Sequence, residues 1–482
     1  METVADHLLE SLGHQKVPWG RSLYTVFCAS IFLLAVPSSL WPQTTSVVEG
    51  TVTDLQGLAA VGAEVRISNP VLGTDRSILS GRDGAYRIPG LSAGTYTIST
   101  SKAGFTTETF RNLELSVNCT FTLNIVLKVE GHAETVEVST VSPLLERTTS
   151  STGSTIGPRQ IEQMPINGRN YLDLLQLVPG VSINRQQDAS LDSATPILGE
   201  RGGNTVFLID GMPNRDELNG GAAAQFNQDS ILEFQVITSG YEAEFGHGSG
   251  GIVNVLSKSG TNDWHGGGSF FHRNYKLDSS DSRLVLAGNA PFLLRYDPSV
   301  QIGGPIRQDK IFFFASAERI LESRQLNFQF PPATPPVLIQ LETPLNLHTK
   351  TYDTRARARL DEQVGHHRVS QQVNLTNSHV TDFLPLVQAI DLPSTRNNLD
   401  SRRLMLGFSD LVILDDQANP FLLNMYAQYR GEPSDVKPAH PEAGAATTLG
   451  NLFISLNTGR LSGDLPQVRF GPGHTALTLD QK

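Results

Sequence analysis

The chain has 482 residues, too many for one ordinary domain, and carries a net charge of -11 at pH 7. Binding to nucleic-acid phosphates needs a cluster of Lys and Arg, and the sequence has no such run, so nucleic acid is not expected as a partner. Only 18% of the residues are charged, whereas 43 are Gly and 27 are Pro. This composition favours many turns and short strands over helical bundles.

An apolar stretch near the N-terminus predicts export. Residues 23–36 (LYTVFCASIFLLAV) follow Arg21 and are too few to cross a bilayer, which takes roughly 20 helical residues. Their length fits the hydrophobic part of a signal peptide. We therefore expect residues 1–43 to be a leader with its signal peptide.

From Val47 onward the pattern changes to short alternating strands separated by turn residues, which predicts a small β-sandwich over residues 44–130. The segment DGAYRIPGLSAGTYTISTSKAGF (83–105) resembles the carboxypeptidase regulatory-like domain family. In that pattern Tyr86 and Tyr96 pack inward. Such domains accompany peptidases but contain no catalytic groups, so the resemblance implies no enzyme activity.

Metal and cofactor sites are not expected. His7 and Glu10 have the H-x-x-E spacing of a zinc carboxypeptidase, but they precede the signal segment and have no third ligand in view. His366 and His367 are adjacent, so on a strand their rings would point to opposite faces. Cys119 is the one cysteine outside the leader and most simply packs as a small buried side chain.

A short extended segment follows the sandwich, inside a polar linker assigned to residues 131–155. It resembles the TonB box, the peptide through which outer-membrane receptors engage the energy-transducing protein TonB. An unpaired, β-branched segment can add to the edge of a partner's sheet while a flexible linker gives it reach. The alternative is that it forms another strand of the sandwich. Its residues are Glu134, Thr135, Val136, Glu137, Val138, Ser139 and Thr140.

Residues 156–263 read as a small α+β unit. PINGRNYLDLLQLVPGV (165–181) predicts a turn and a short helix with Leu172, Leu175 and Leu177 near one face. Strands are predicted over 205–211, ending in an Asp-Gly turn, and over 232–239.

The residue patterns of these segments resemble those of the plug domain of TonB-dependent outer-membrane receptors. The resemblance is closest to the subgroup with an N-terminal regulatory-like domain and the phrase P-x-N-G-R-N. The glycines 202, 203, 211, 250 and 251 are expected to take positive φ and to allow close backbone contact. The plug-motif residues are Arg201, Gly202, Asp210, Gly211, Glu244, Gly246, Gly250 and Gly251.

Residues 264–482 alternate between polar and apolar side chains, which is typical of transmembrane β-barrel strands. In TRARARL (354–360), Arg355, Arg357 and Arg359 share one face and are candidates for the lumen. They would favour anionic cargo, or else form a solvated lumen face. Aromatic residues such as those at 312–314 and Tyr429 are expected at the membrane interface. The fold class is therefore mainly β: an N-terminal β-sandwich, a small α+β plug domain and the start of an incomplete transmembrane antiparallel β-barrel.

The number of strands that residues 264–482 can form indicates whether the barrel is complete. Plugged barrels of this kind close with about 22 strands of roughly 10 residues, on the order of 500 residues with loops, and residues 264–482 are too few. Open sheet edges are costly in hydrocarbon, so we expect the chain to be a C-terminally truncated fragment.

The resemblance implies an outer-membrane receptor of a Gram-negative bacterium that imports a bulky nutrient, with TonB as partner. The alternative is an exported β-rich adhesion or carbohydrate-binding surface protein without transport.

Overall fold

The computed structural model consists mainly of strands. The predicted leader and most of the predicted TonB box lie outside the residues that it describes. Those residues are 45–129, 137–138, 151–164, 166, 168–182, 195–216, 221–241, 245, 248–277, 292–325, 348–383, 397–414, 421–431, 433–438, 452–455, 467–470 and 477–479.

The N-terminal unit is a sandwich of two sheets. One sheet has the order β4-β1-β7 with β8 also paired to β1, and the other has the order β3-β2-β5-β6-β9. The strands are β1 Ser46–Asp54, β2 Glu64–Asn69, β3 Thr74–Leu79, β4 Ala85–Leu91, β5 Gly94–Ser101, β6 Glu108–Leu115, β7 Thr120–Thr122, β8 Ile125–Leu127 and β9 Glu137–Val138.

Alternate residues of these strands face the space between the two sheets and form the core. Val65 and Ile67 of β2 are fully buried, whereas Glu64 and Arg66 between them are exposed. Tyr86 and Tyr96 are buried as predicted, and each hydroxyl donates to a backbone carbonyl, that of Leu123 or Ser92. Both rings therefore contribute apolar area without leaving a buried polar group unpaired.

The plug is a five-stranded sheet of order β10-β13-β14-β11-β12 with short helices packed on it. Strands β11 and β14 are buried at every position because both faces of the sheet are covered. The elements are β10 Thr152–Ile156, α1 Pro158–Gln163, a 3₁₀ helix Tyr171–Leu177, two 3₁₀ turns Gly202–Asn204 and Gln228–Ser230, β11 Val206–Ile209, β12 Met212–Pro213, β13 Ile231–Ser239 and β14 Ile252–Ser257.

The predicted helix in the plug is a 3₁₀ helix, and this changes its buried face. Leu172 and Leu175 are buried, three positions apart, as expected. Leu177 is 46% exposed, so its predicted place on the buried face is wrong, and Leu174 is buried instead. A tighter helix, with about three residues per turn, moves the apolar face away from Leu177.

The third unit is a long antiparallel wall. Its order is β15-β16-β17-β18-β19-β20-β22-β25, with β21 also on β20, and among the described residues its two edge strands do not pair with each other. A separate hairpin joins β23 and β24. The strands are β15 His265–Asn274, β16 Leu293–Arg307, β17 Ile311–Gln325, β18 His348–Val364, β19 His367–Phe383, β20 Asn397–Leu414, β21 Phe421–Gly431, β22 Ser434–Pro438, β23 Leu452–Ser455, β24 Gln467–Phe470 and β25 Leu477–Leu479.

The two ends of the wall differ in the length of their connections. Residues 308–310, 365–366 and 415–420 join strands at one end, and the much longer 275–292, 326–347 and 384–396 join them at the other. Outer-membrane barrels place short turns in the periplasm and long loops outside the cell. On that rule, we expect the end with short turns to face the periplasm.

The inward face of the wall packs on the plug. Phe312 and Phe314 are almost fully buried there, so the prediction that they lie at the membrane interface is wrong. Phe313, between them, points the other way and packs edge-on against Trp264. Strand alternation decides this, because three consecutive aromatic residues cannot share one face. None of the helices in the described part of the chain is long and apolar enough to cross a bilayer.

Candidate functional site

The contact between the plug and the wall centres on a tight hairpin of the plug. Strands β11 and β12 are joined by Asp210 and Gly211, with Ile209 paired to Met212. Asp210 has φ 47° and Gly211 has φ 79°. Positive φ at both central residues is what a two-residue type I′ turn requires, and Asp-Gly is a favoured sequence for it. The turn presents the Asp210 carboxylate to the inner face of the wall.

Two arginines of β18 receive this carboxylate. Arg357 Nη2 lies 2.5 Å from Asp210 Oδ2, and Arg359 Nη1 lies 3.1 Å from Asp210 Oδ1. The side chains of Asp210 and Arg357 are only 9% and 3% exposed. Ser257, at the end of β14, adds donors from its backbone N and from Oγ. Each oxygen of this carboxylate therefore accepts at least two hydrogen bonds within a site that is almost closed to solvent.

These contacts change the pKa of Asp210. Burial alone would raise the pKa of this carboxyl, but Arg359 and Arg357, with the two donors of Ser257, outweigh it and hold the pKa below its ordinary value. Asp210 is therefore ionised at neutral pH.

A second cluster joins the plug to the wall through Arg169. This side chain is 5% exposed, and its Nη2 lies 2.7 Å from Asp229 Oδ1 of the plug. Its Nε lies 3.5 Å from Glu318 Oε1 of β17, and its guanidinium carbon lies 4.2 Å from the centre of the Phe271 ring. The plug thus offers the wall one buried anion, Asp210, and one buried cation, Arg169.

Arg355 completes the row of arginines on β18. Its Nη2 donates to Gln225 Oε1 of the plug at 2.7 Å, and it pairs with Glu318 and Asp353 of the wall. Arg355, Arg357 and Arg359 therefore all point from β18 toward the plug, where carboxylates engage their charges. The predicted solvated lumen face is not what Arg355 and Arg357 form, because both are buried against the plug. Arg359 is partly exposed and borders a cavity.

Arg169 was not among the residues predicted for the site. It occupies the arginine position of PINGRN, the segment that precedes the 3₁₀ helix of the plug. A lone arginine at a tight turn before an apolar helix was the available signal. Arg169 has φ 50°, and such a conformation in a residue other than glycine marks a constrained position.

The other plug-motif residues have several roles. Of the five glycines predicted to take positive φ, only Gly211 does so among those whose conformation is described, and the prediction is wrong for glycines 203, 250 and 251. The close contact that was also predicted is present at Gly251, since a Cβ there would lie 2.6 Å from Ile197 Cδ1 and 2.9 Å from Ile237 O. A Cβ at Gly250 would meet the backbone of Asn204 at 3.1 Å.

Arg201 is exposed, and Gly202 begins a 3₁₀ turn. Glu244 and Gly246 lie outside the described residues.

The predicted TonB box is described only at Glu137 and Val138. These two residues form β9, which pairs in parallel with Thr109 and Phe110 of β6 and is the edge strand of its sheet. In this arrangement part of the segment is a strand of the sandwich, which is the alternative that the sequence left open. Glu134, Thr135, Val136, Ser139 and Thr140 lie outside the described residues.

Sequence comparisons identify the three units. Residues 47–128 match the carboxypeptidase regulatory-like domain, residues 145–253 match the TonB-dependent receptor plug domain, and residues 256–402 match an outer membrane β-barrel domain. Together with a plug packed against a wall of alternating strands, these matches define a plugged protein of the outer membrane. The chain belongs to the TonB-dependent receptors that carry an N-terminal carboxypeptidase regulatory-like domain. It is accordingly a protein of the Gram-negative outer membrane.

Proteins similar to the chain include two curated relatives and a solved structure. TonB-dependent transporter Oar of Myxococcus xanthus is 27% identical over 308 residues, 60% of this chain and 28% of that protein. Ferrienterobactin receptor of Escherichia coli (strain K12) is 27% identical over 128 residues, 23% of this chain and 17% of that protein. The crystal structure of the outer membrane transporter YddB from Escherichia coli matches with a TM-score of 0.49 at 14% identity, covering 68% of this chain and 44% of that one. The chain thus spans less than a third of the length of either curated relative.

Proposed function

We propose that this chain is part of an importer for a bulky nutrient, in which the plug gates the lumen and a TonB-type protein supplies the energy. The observation that carries the proposal is the pair of ion pairs between Asp210 of the plug and Arg357 and Arg359 of the wall, which hold the plug against the wall. A buried charged contact holds the plug in one position, and removing a partner leaves an uncompensated charge. A plug held in this way would close the lumen until work is done on it.

The proposed coupling segment is residues 134–140. Its described part, β9, has one edge paired with β6 and the other unpaired among the described residues. An edge strand can take up a partner strand through main-chain hydrogen bonds. We assign residues 131–155 to the linker that carries this segment, between a sandwich of residues 44–130 and a plug of residues 156–263, with the wall following from residue 264.

The coupling can be tested without knowing the cargo. The full chain is immobilised, and binding of the C-terminal domain of the TonB-type protein from the same organism is measured by biolayer interferometry. Deleting residues 134–140 removes the main-chain partners of the added strand, so we expect the affinity to fall by at least about tenfold.

The control deletes the equally long stretch 144–150, which shortens the linker by the same amount. It should leave the affinity unchanged. Equal affinities for the parent chain and the chain without residues 134–140 would refute the assignment of the coupling segment.

A further inference from the structure

The sandwich lies against the periplasmic end of the plug and the wall. Asn262, between the plug and β15, donates from its backbone N to Val71 O at 2.8 Å and from Nδ2 to Pro70 O at 2.8 Å. On the wall, Arg368 Nη1 donates to Ser92 Oγ at 2.8 Å. The contact therefore reaches both the plug and the wall.

An apolar patch lies beside these hydrogen bonds. Ala93 and Val117 of the sandwich pack on Leu256 of β14 and on the partly buried Leu232 of β13. Val117 N also donates to the carboxylate of Glu233, which is 5% exposed. The sandwich thus buries part of the plug surface that faces the periplasm.

A cavity of about 570 Å³ lies where the three units meet. Leu72 and Ser92 of the sandwich line it on one side, and Leu256 and Lys258 of the plug line it on the other. Arg368 and Tyr426 contribute from the wall. The plug hairpin also borders it through Asp210 and Gly211, so it adjoins the point where the plug is seated.

We propose that the sandwich is a removable lid over the periplasmic face of the plug, so that the receptor has a second closure behind the first. The inference rests on the proposed direction of import, since a molecule released past the plug would enter this cavity and meet the sandwich. The described contacts that hold the lid are mainly hydrogen bonds and a small apolar patch. On the wall side, Gly73 and Gly90 of the sandwich also lie close to Phe312 and Ile413. Contacts of this kind between domains of one chain permit relative motion.

The test locks the lid and measures access to the amine of a Ser259→Lys variant, since Ser259 lines the cavity. Lys258 also lines a second pocket, where it lies 3.3 Å from Glu162, so every protein in the test also carries Lys258→Arg. The full chain carries Cys119→Ser together with Val71→Cys and Asn262→Cys. The two new cysteines lie where a backbone hydrogen bond already joins the sandwich to the segment after the plug. Oxidation should form a disulfide. Acylation at residue 259 by a bulky amine-reactive ester, followed by mass spectrometry, should then be at least about tenfold slower than in the reduced form, because the lid no longer opens.

A disulfide inside the sandwich is the control. Arg66→Cys and Ser77→Cys are directly opposed on β2 and β3 within the sandwich, and oxidising them should leave acylation at residue 259 unchanged. As a second variant, Arg368→Ala with Cys119→Ser removes two hydrogen bonds to the sandwich and should speed acylation at residue 259.

Three results would overturn the lid. They are failure of the 71–262 disulfide to form in the folded protein, equal acylation rates in its oxidised and reduced forms, and no effect of Arg368→Ala. None of them depends on the TonB-type protein. Failure of the coupling assignment would instead appear as unchanged binding after deletion of residues 134–140.

Discussion

Asp210 shows how one side chain can link two units of the chain. Its carboxylate accepts from a wall arginine 147 residues away in the sequence, within a site that is almost closed to water. The low pKa of Asp210 means that this link contributes stability above the ordinary carboxyl pKa and loses it only as the pH falls through the depressed value. The seating of the plug should therefore be insensitive to pH between about 5 and 8.

We expect Asp210→Asn to weaken the seating of the plug by about 3 kcal/mol, because it leaves Arg357 and Arg359 short of their buried anion. The measurement is the urea concentration at which the plug becomes susceptible to trypsin in detergent-solubilised protein.

Asp75→Asn is the matched control for this change. Asp75 also pairs with an arginine, Arg66, but both side chains are more than half exposed. Exposed pairs contribute little, so the urea midpoint should barely move. Equal shifts for Asp75→Asn and Asp210→Asn would show that burial of the Asp210 pair does not matter.

At this scale the sequence predicts candidates but not partners. Asp210 could be identified from the Asp-Gly turn, and the arginines of β18 from strict alternation, because both signals are local. Their pairing could not, since it depends on how β18 is placed opposite a plug hairpin. Arg169 could not be predicted for the same reason, because its partners Asp229 and Glu318 lie in two other elements.

Among the elements, the plug sheet depends on a close approach between β14 and the segment around Ile197. Gly251 immediately precedes β14, and a Cβ there would lie 2.6 Å from one atom of Ile197 and 2.9 Å from the backbone oxygen of Ile237. We expect Gly251→Ala to destabilise the plug by about 2 kcal/mol, since overpacking a filled core forces its neighbours to move. The urea midpoint of plug proteolysis measures this change.

Gly203→Ala provides the comparison. Gly203 is also a glycine of the plug, but a Cβ there would have no atom within 4 Å, and its φ is not positive. The urea midpoint of plug proteolysis for Gly203→Ala should stay the same or rise slightly, because alanine lowers the conformational entropy of the unfolded chain. If Gly203→Ala lowered the urea midpoint as much as Gly251→Ala, the destabilisation by Gly251→Ala would not come from steric overlap.

The strands could be predicted more fully than the helices. Alternation with period two predicted the strand at residues 354–360, which lies in β18, and the sandwich strands followed from the same pattern. The short helix of the plug is present as predicted, but its seven residues are too few to separate a period of 3.6 from one of 3.0, so Leu177 was placed on the wrong face. The edge strand β9 is only two residues long and carries no periodicity at all.

In the whole molecule, the order of the units was predictable but the docking of the sandwich was not. Motifs in chain order indicated a sandwich, a plug and a wall, and the comparisons bear out these three classes. The contact between sandwich and plug involves loop residues such as Val71 and Val117, which follow no pattern. Only the folded geometry brings them to the periplasmic end.

Docking of the sandwich should depend on pH through Glu233. Burial raises the pKa of this carboxyl to about 7, although the Val117 amide works in the opposite direction. If undocking exposes the group and returns its pKa toward the ordinary 4.5, the docked state binds the proton more tightly. Docking should therefore strengthen as the pH falls from about 7 toward 4.5, by up to about 3 kcal/mol, and should stay at its weakest, without further change, well above pH 7.

Energy transfer between dyes placed by Arg66→Cys and Lys310→Cys, with Cys119→Ser, would follow the docked fraction from pH 5 to pH 8. The control is Glu233→Gln, which cannot ionise and should make the docked fraction independent of pH. A pH dependence that survives Glu233→Gln would assign the effect to another group.

The shortness of β9 has a mechanical consequence. It is tied to β6 by two residue pairs, whereas β13 and β14 are joined by six. Under tension applied near residues 134–140, the weaker attachment should break first, freeing a length of chain before any load reaches the plug sheet. The first part of the displacement would then only extend the freed chain, and force would act on the Asp210 contact only if the displacement continued.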